Sequence, residues 1–210
     1  MIKSEIRSMV LNSLKRYDST AKFHQRVLDA ECEFVLHQML GEVFRMSPHS
    51  LQRYTKGYGY TVALAVLTEA STGIYYTTLP ENILVFLDKA SGVRRVATPT
   101  QTSIKFYPID QREWDLIAYG SYANTVKNQI GYIVTPTRVE YYGMTGEVIT
   151  SGVRMDLIIP FSEYADTDVV LYPEHIIGEE GKGFIDRVVD RLLAKPQTVN
   201  LSDQNKDKEE

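Results

Sequence analysis

Asp156, Asp166 and Asp168 are the side chains whose type and spacing best suit them to chemistry in this 210-residue chain. Neighbouring carboxylates can hold a hard divalent cation, and a bound cation can activate water. That defines one concrete alternative: a metal-dependent hydrolase whose divalent-metal binding disappears on Asp168→Ala. The segment lacks the dense oxygen ligands and central glycine of a calcium loop. A solvated turn, with Asp166 or Asp168 capping backbone amides, accounts for the same residues without a metal.

Other chemical signatures point away from catalysis. The histidines are His24, His37, His49 and His175, and no two of them have the i, i+4 spacing around glutamate of zinc hydrolases. His24 and His37 are expected on a helix surface. Gly178-Glu179-Glu180-Gly181-Lys182-Gly183 is rich in glycine but lacks the phosphate-loop spacing, and its two carboxylates would repel phosphate. It reads as a hinge. No Gly-x-Ser-x-Gly elbow is present. Cys32 falls in the apolar stripe of a helix, where a thiol is buried and inert. Asn200-Leu201-Ser202 matches a glycosylation acceptor, which has no use without secretion. The reading that follows is a protein without catalytic, cofactor or metal residues.

The positive signal is aromatic. The chain has fourteen tyrosines against seven phenylalanines. Tyr75-Tyr76 and Tyr141-Tyr142 are adjacent pairs, so on a strand one ring of each pair faces away from the core. An exposed tyrosine offers a rigid contact area and a hydroxyl, although strand propensity alone also favours the residue.

The elements that must carry these residues follow from periodicity. Ile2, Ile6, Met9, Val10, Leu14 and Tyr17 recur at helical spacing and predict a helix over 2–16. Asp18, Ser19 and Thr20 offer caps for a second helix over about 20–45. There Leu28, Cys32, Val35, Met39 and Val43 make one apolar stripe. Phe23, Val27, Ala30 and Phe34 make another, and Leu36, Leu40 and Phe44 widen it. A lone surface helix needs a single stripe of about 100°. Two arrangements satisfy this helix: a β domain on one side with a second subunit on the other, or a central core helix in a monomer. Ser47-Pro48 then opens a short helix that stops at Gly57.

From Tyr58 the period becomes two. Tyr58, Tyr60, Val62, Leu64 and Val66 form one run, and Ile74, Tyr76 and Thr78 form the next, ended by Pro80. Ile83-Val85-Leu87, Val93–Ala97, Thr102-Ile104-Phe106, Ile130-Tyr132-Val134 and Val139-Tyr141 continue the series. Val148–Ile159 is read as a returning strand. Within it Val153, Met155, Leu157 and Ile159 face one way and Arg154, Asp156 and Ile158 the other. Asp110 caps a short helix with Trp114 and Ile117. Phe184 to about Ala194 is an amphipathic helix, and residues 196–210 are a polar tail expected to be disordered in isolation.

The expected fold is α+β. N-terminal helices (1–57) pack on an antiparallel β-sandwich or barrel-like domain (58–173). A hinge and C-terminal helix (174–195) and a flexible polar tail (196–210) follow. With 43% hydrophobic and 24% charged residues, composition is that of an ordinary globular protein. The single cysteine rules out an internal disulfide and fits a reducing compartment, or a protein that needs no oxidation to be stable. Met1–Leu14 is charged throughout, so no secretory leader is expected. No run approaches the roughly 18 apolar residues that span a bilayer. The net charge is −4, with nine Lys or Arg against six Asp or Glu over residues 1–60 and fourteen against twenty-one beyond. An acidic body argues against sequence-specific duplex recognition. Opposite signs along the chain suit head-to-tail contact between copies.

Several segments in this order carry a family resemblance. They are Gly73-Ile74-Tyr75-Tyr76-Thr77-Thr78-Leu79-Pro80, Val93-Arg94-Arg95-Val96 and Gln111-Arg112-Glu113-Trp114. Ile130-Gly131-Tyr132-Ile133, Val153-Arg154-Met155 and the stretch Asp156–Pro173 come next, before an Ile/Val/Leu-rich helix and polar tail. The chain resembles the head–tail connector ring proteins of tailed bacteriophages, especially the crAss-like short-tailed type. The resemblance implies a virion structural protein at the head–tail junction, assembled in the host cytoplasm, with no enzymatic activity and no cofactor. It implies a ring of many copies, a dodecamer by family analogy, beneath the portal protein and against neighbouring tail or ring proteins. Genomic DNA would pass through its polar or acidic channel, and no membrane would be engaged. Another tail, baseplate or surface adaptor role would use the same features. The expected interface residues are Phe23, Val27 and Phe34 on the second helix and Tyr75 and Tyr142 in the tyrosine pairs. Phe184, Val188 and Leu192 complete the set, on a terminal helix suited to lie in a partner's groove.

Overall fold

Ile6, Val10 and Leu14 lie four residues apart, so a helix stacks them on one line. In the computed structural model that line is fully buried along α1 (Lys3–Tyr17). Met9 and Tyr17, which the spacing also assigns to the apolar stripe, are instead 44% and 72% exposed, because they fall at its margin and at the helix end. The structure describes residues 1–17, 19, 23–84, 92–100, 104–110, 113, 129–144, 146–173 and 183–194. They form an α+β protein of two compact units, Met1–Glu42 with Tyr164 onward, and Val43–Glu163. The contacts therefore group the chain's two ends, whereas the change of period divides it near residues 57 and 173.

In the first unit, α2 (Gln25–Met46) buries Leu28, Cys32, Val35 and Met39 as one stripe, with Leu36 and Leu40 beside it. The His24 ring accepts a hydrogen bond from the Arg26 amide (3.2 Å) at the helix start. The C-terminal helix (Phe184–Ala194) buries Phe184, Val188, Val189 and Leu192 and packs on α1. The Phe184 ring also meets Tyr172, with centroids 4.8 Å apart. Met1–Lys3 is tied to the segment before that helix. Val170 N–H donates to the Met1 carbonyl (3.0 Å), and Lys3 donates through its amide to Asp168 (3.0 Å). The buried Lys3 ammonium also donates to the Tyr164 carbonyl (2.7 Å). Local periodicity carries no sign of these long-range ties.

Cys32 is fully buried, as its stripe predicts, and its thiol is pushed up to about 12, first by burial and then by the charge of Asp29. Only the thiolate reacts. We expect labelling by an aromatic disulfide reagent at pH 8 to run at least about a hundredfold slower in the native protein than in denaturant. Absorbance of the released thiol measures it, and equal rates would contradict the burial.

The second unit opens with a 3-10 helix (Pro48–Tyr54), entered through an extended Ser47 that makes no side-chain cap bond. Its strands are β1 (Lys56–Tyr58), β2 (Leu67–Thr68), β3 (Tyr75–Thr78), β4 (Val93–Ala97), β5 (Lys105–Pro108), β6 (Gln129–Val134), β7 (Arg138–Tyr142) and β8 (Arg154–Leu157). A helix, α3 (Gly146–Ser151), precedes β8. Among the described residues the strands make two sheets, ordered β1-β8-β4 and β2-β3-β7-β6-β5. All described pairs are antiparallel except β5–β6, which is parallel. A parallel pair needs a long connection, and β5 and β6 are twenty residues apart in the chain. β8 alternates as expected and is covered on both faces, with Met155 and Leu157 on one side and a buried Asp156 on the other. The wider sheet buries Val139, Tyr141, Tyr132, Ile130 and Thr77 on one face. There the Phe106 and Tyr141 rings meet edge-on at 6.0 Å.

Two expected strands are shorter than the alternation suggests. The run from Tyr58 does not continue to Val66, because Gly59 takes a positive φ of 78° and turns the chain out of the ladder. Val148–Ser151 is helical rather than extended. Gly152, at φ 74°, closes that helix by donating to the Val148 carbonyl (3.0 Å) before β8 begins. The expectations for Asp18, Thr20, Val85, Leu87, Thr102, Trp114, Ile117, the 178–182 glycine segment, His175, Asn200 and the 196–210 tail lie outside the described residues.

Candidate interaction surface

α2 presents its second stripe outward. Val27 is 39% and Phe34 49% exposed, Ala30 is exposed, and Phe23 is half-buried. Ala30, Glu33, Phe34, His37 and Gln38 line a shallow groove of ≈ 440 Å³. Phe34 is held from one side by Arg191, whose guanidinium carbon lies 3.7 Å from the ring centroid. The same guanidinium donates through Nε to the Glu31 carboxylate (2.7 Å), and Glu31 is only 5% exposed. Arg187 pairs with Glu42 (3.0 Å), one helical turn beyond Gln38.

The other expected interface residues sit differently. Phe184, Val188 and Leu192 are buried in their own unit, where this chain's α1 already covers the face that the sequence offers to a partner's groove. Tyr75 lies opposite Tyr141, so it shares the core-facing side of its sheet. Tyr76 and Tyr142 occupy the opposite side. There Arg138 stands 4.9 Å over the Tyr76 ring, and Tyr142 donates to Glu140 (3.3 Å). Arg138 also bridges Glu140 (2.6 Å) and Glu69 (3.2 Å). The hydroxyl of Thr72, then Arg138, hold the Glu69 carboxyl below the usual carboxylate range.

Periodicity conceals one surface. Gly59–Thr68 contains no charged residue. It carries Tyr60 at 52%, Val62 at 81% and Leu67 at 45% exposure. Its alternation reads as a paired strand, and the absence of charge over ten residues is the clue that it displays apolar surface. Tyr60 anchors its start. The hydroxyl donates to Asp156 Oδ1 (2.7 Å), and Arg154 lies 4.9 Å over the ring. That hydrogen bond, then burial, push the phenol above its ordinary value. Gly57 leaves room for the ring, since a Cβ there would meet it at 2.9 Å.

The three aspartates have separate partners. Asp156 accepts from Tyr60, Asp166 pairs with Arg7 (2.5 Å), and Asp168 accepts from the Ala165 amide (3.0 Å), as a turn cap does. Among the described residues no three His, Cys, Asp or Glu side chains could jointly hold a metal ion, so the aspartate trio is not a ligand set. No described helix is long and apolar enough to cross a membrane. What these surfaces can do is associate: apolar side chains with fixed aromatic anchors, rimmed by paired charges.

No protein-family model matches this chain, and no curated protein is significantly similar to it in sequence.

Proposed function

We propose that this protein is a subunit of a head–tail connector ring of a tailed bacteriophage, a structural component through which the genome passes from portal to tail. The observation that carries the reading is exposed apolar surface in each unit, at Val27 and Phe34 on α2 and at Tyr60, Val62 and the first residue of β2, Leu67. Scattered apolar residues are normal on a surface, but grouped ones mark contact sites. A ring uses such surfaces in head-to-tail contacts that close on themselves. The resemblance in segment order supports the same role. So does the acidic balance beyond residue 60, since a negative wall lets DNA slide without sticking.

Mass photometry and negative-stain electron microscopy test it. We expect uniform rings, alone or on portal protein. The double substitution Val27→Asp/Phe34→Asp should weaken assembly at least about tenfold while leaving helical circular dichroism intact. A strictly monomeric protein at high concentration with no affinity for portal would overturn the proposal.

A further inference from the structure

Six arginines are half-buried among the described residues, and they fall into two groups. Arg7, Arg138, Arg187 and Arg191 each pair with a carboxylate at 3.2 Å or less. Arg94 and Arg154 form no ion pair with a described residue, and Nε of each is buried without an acceptor among them.

Sheet register brings these two arginines together. Between β4 and β8, Arg95 lies opposite Asp156 and Ala97 opposite Arg154, while Val93 and Val96 lie opposite the buried Leu157 and Met155. Arg94 and Arg95 thus occupy a place where the ladder has room for one residue, a β-bulge. The bulge keeps Val93 and Val96 on the buried face and sets the exposed Arg95 on the same face as Arg154. Arg94 beside them donates to the Pro48 carbonyl (2.9 Å). Arg154 covers the Tyr60 ring, and Arg95 and Arg154 both stand near enough to oppose the upward shift of its phenol. The carboxylate in this group, Asp156, is 9% exposed and already accepts from Tyr60 (2.7 Å).

We propose that Arg95 and Arg154, with Arg94 beside them, bind backbone phosphates of duplex DNA on the outer face of β4 and β8. A guanidinium fork matches phosphate oxygens and stays charged at any working pH. Drawing it out of water without a counter-charge is unfavourable, and an arriving oxyanion offsets that cost. Phosphate contacts carry no sequence information, which agrees with an acidic body that reads no duplex sequence. Two or three such contacts per copy hold DNA weakly, so it is guided without being arrested. The choice of genomic DNA as the phosphate source rests on the connector reading.

Fluorescence anisotropy of a labelled duplex of about 30 base pairs, titrated with the full-length protein at about 50 mM salt, tests the site. We expect binding whose log K falls with log salt at a slope of about −3 per copy. Arg95→Gln/Arg154→Gln should weaken it at least about tenfold and reduce the slope by about 2. Arg95→Gln alone, at an exposed position, should reduce the slope by about 1 with the thermal midpoint unchanged, which separates the site from a folding defect. Arg16→Gln/Arg26→Gln removes as much charge from exposed positions on α1 and α2 and should change affinity less than about twofold. No binding by the unsubstituted chain, or equal loss in the two double variants, overturns the site, while rings on portal protein would keep the connector reading standing. Loss of ring assembly in Arg95→Gln at unchanged duplex affinity assigns the arginines to an acidic face of a second copy and overturns the proposal. Duplex binding that depends on Arg95 and Arg154, in a chain that stays monomeric and has no affinity for portal, upholds the site and overturns the connector reading.

Discussion

Gly152→Ala should destabilise the second unit by about 2–4 kcal/mol, read as a lower urea midpoint in circular dichroism. Two separate costs add. Gly152 has φ 74°, in the left-handed region where a Cβ is strained. A Cβ there would also stand 2.6 Å from the Leu64 carbonyl oxygen, a backbone atom held by its bond from Val153. Gly59→Ala should behave alike, since its φ is 78° and its Cβ would stand 2.6 Å from the Val153 carbonyl. The two glycines flank the same Leu64–Val153 bridge, so either substitution pries the 59–67 segment from β8. Gly73→Ala is the control. Its φ of 71° is as strained, yet nothing lies within 4 Å of the added carbon. It should cost only about 1 kcal/mol. If Gly152→Ala costs no more than Gly73→Ala, the close approach of the two backbones is wrong.

Arg191→Ala should cost about 2–3 kcal/mol, or a fall in Tm of roughly 5–10 °C. The reason is the environment of the carboxylate. Glu31 is 5% exposed, and Arg191 supplies a charge-assisted hydrogen bond of 2.7 Å. Removing the guanidinium takes that bond from a poorly solvated carboxylate, which is costlier than losing an exposed pair. Phe34 would also lose the cation held against its ring. In the cycle of Glu31→Gln, Arg191→Ala and the double variant, the double variant should cost less than the sum of the two single ones, because the two side chains are in contact. Differential scanning calorimetry of the three variants checks it. Strictly additive costs would show that the pair is not coupled.

Much of the fold was legible because much of it is local. Val93–Ala97, Tyr75–Thr78 and the C-terminal helix emerge close to the expected residues, since hydrophobic spacing and flanking glycine or proline act over a few positions. The buried stripe Leu28-Cys32-Val35-Met39 was equally readable. The run Tyr58–Val66 misled because alternation describes which residues could pair, not whether a partner strand is present. The same holds for Phe184, Val188 and Leu192. Their spacing predicts an apolar face but cannot tell a neighbour's groove from the helix's own unit.

The amino-acid sequence by itself determined the α+β class, the apolar stripes of α2 and the alternation of β8, each set by period and propensity within one element. Tertiary structure alone decided that the N-terminal residues are tied to the 164–170 segment. It also decided that β5 runs parallel to β6, and that Glu31 is buried against Arg191. It left Tyr60, Val62 and Leu67 exposed. Those outcomes depend on contacts between residues far apart in the chain, whose free energies compete only once both partners are brought together.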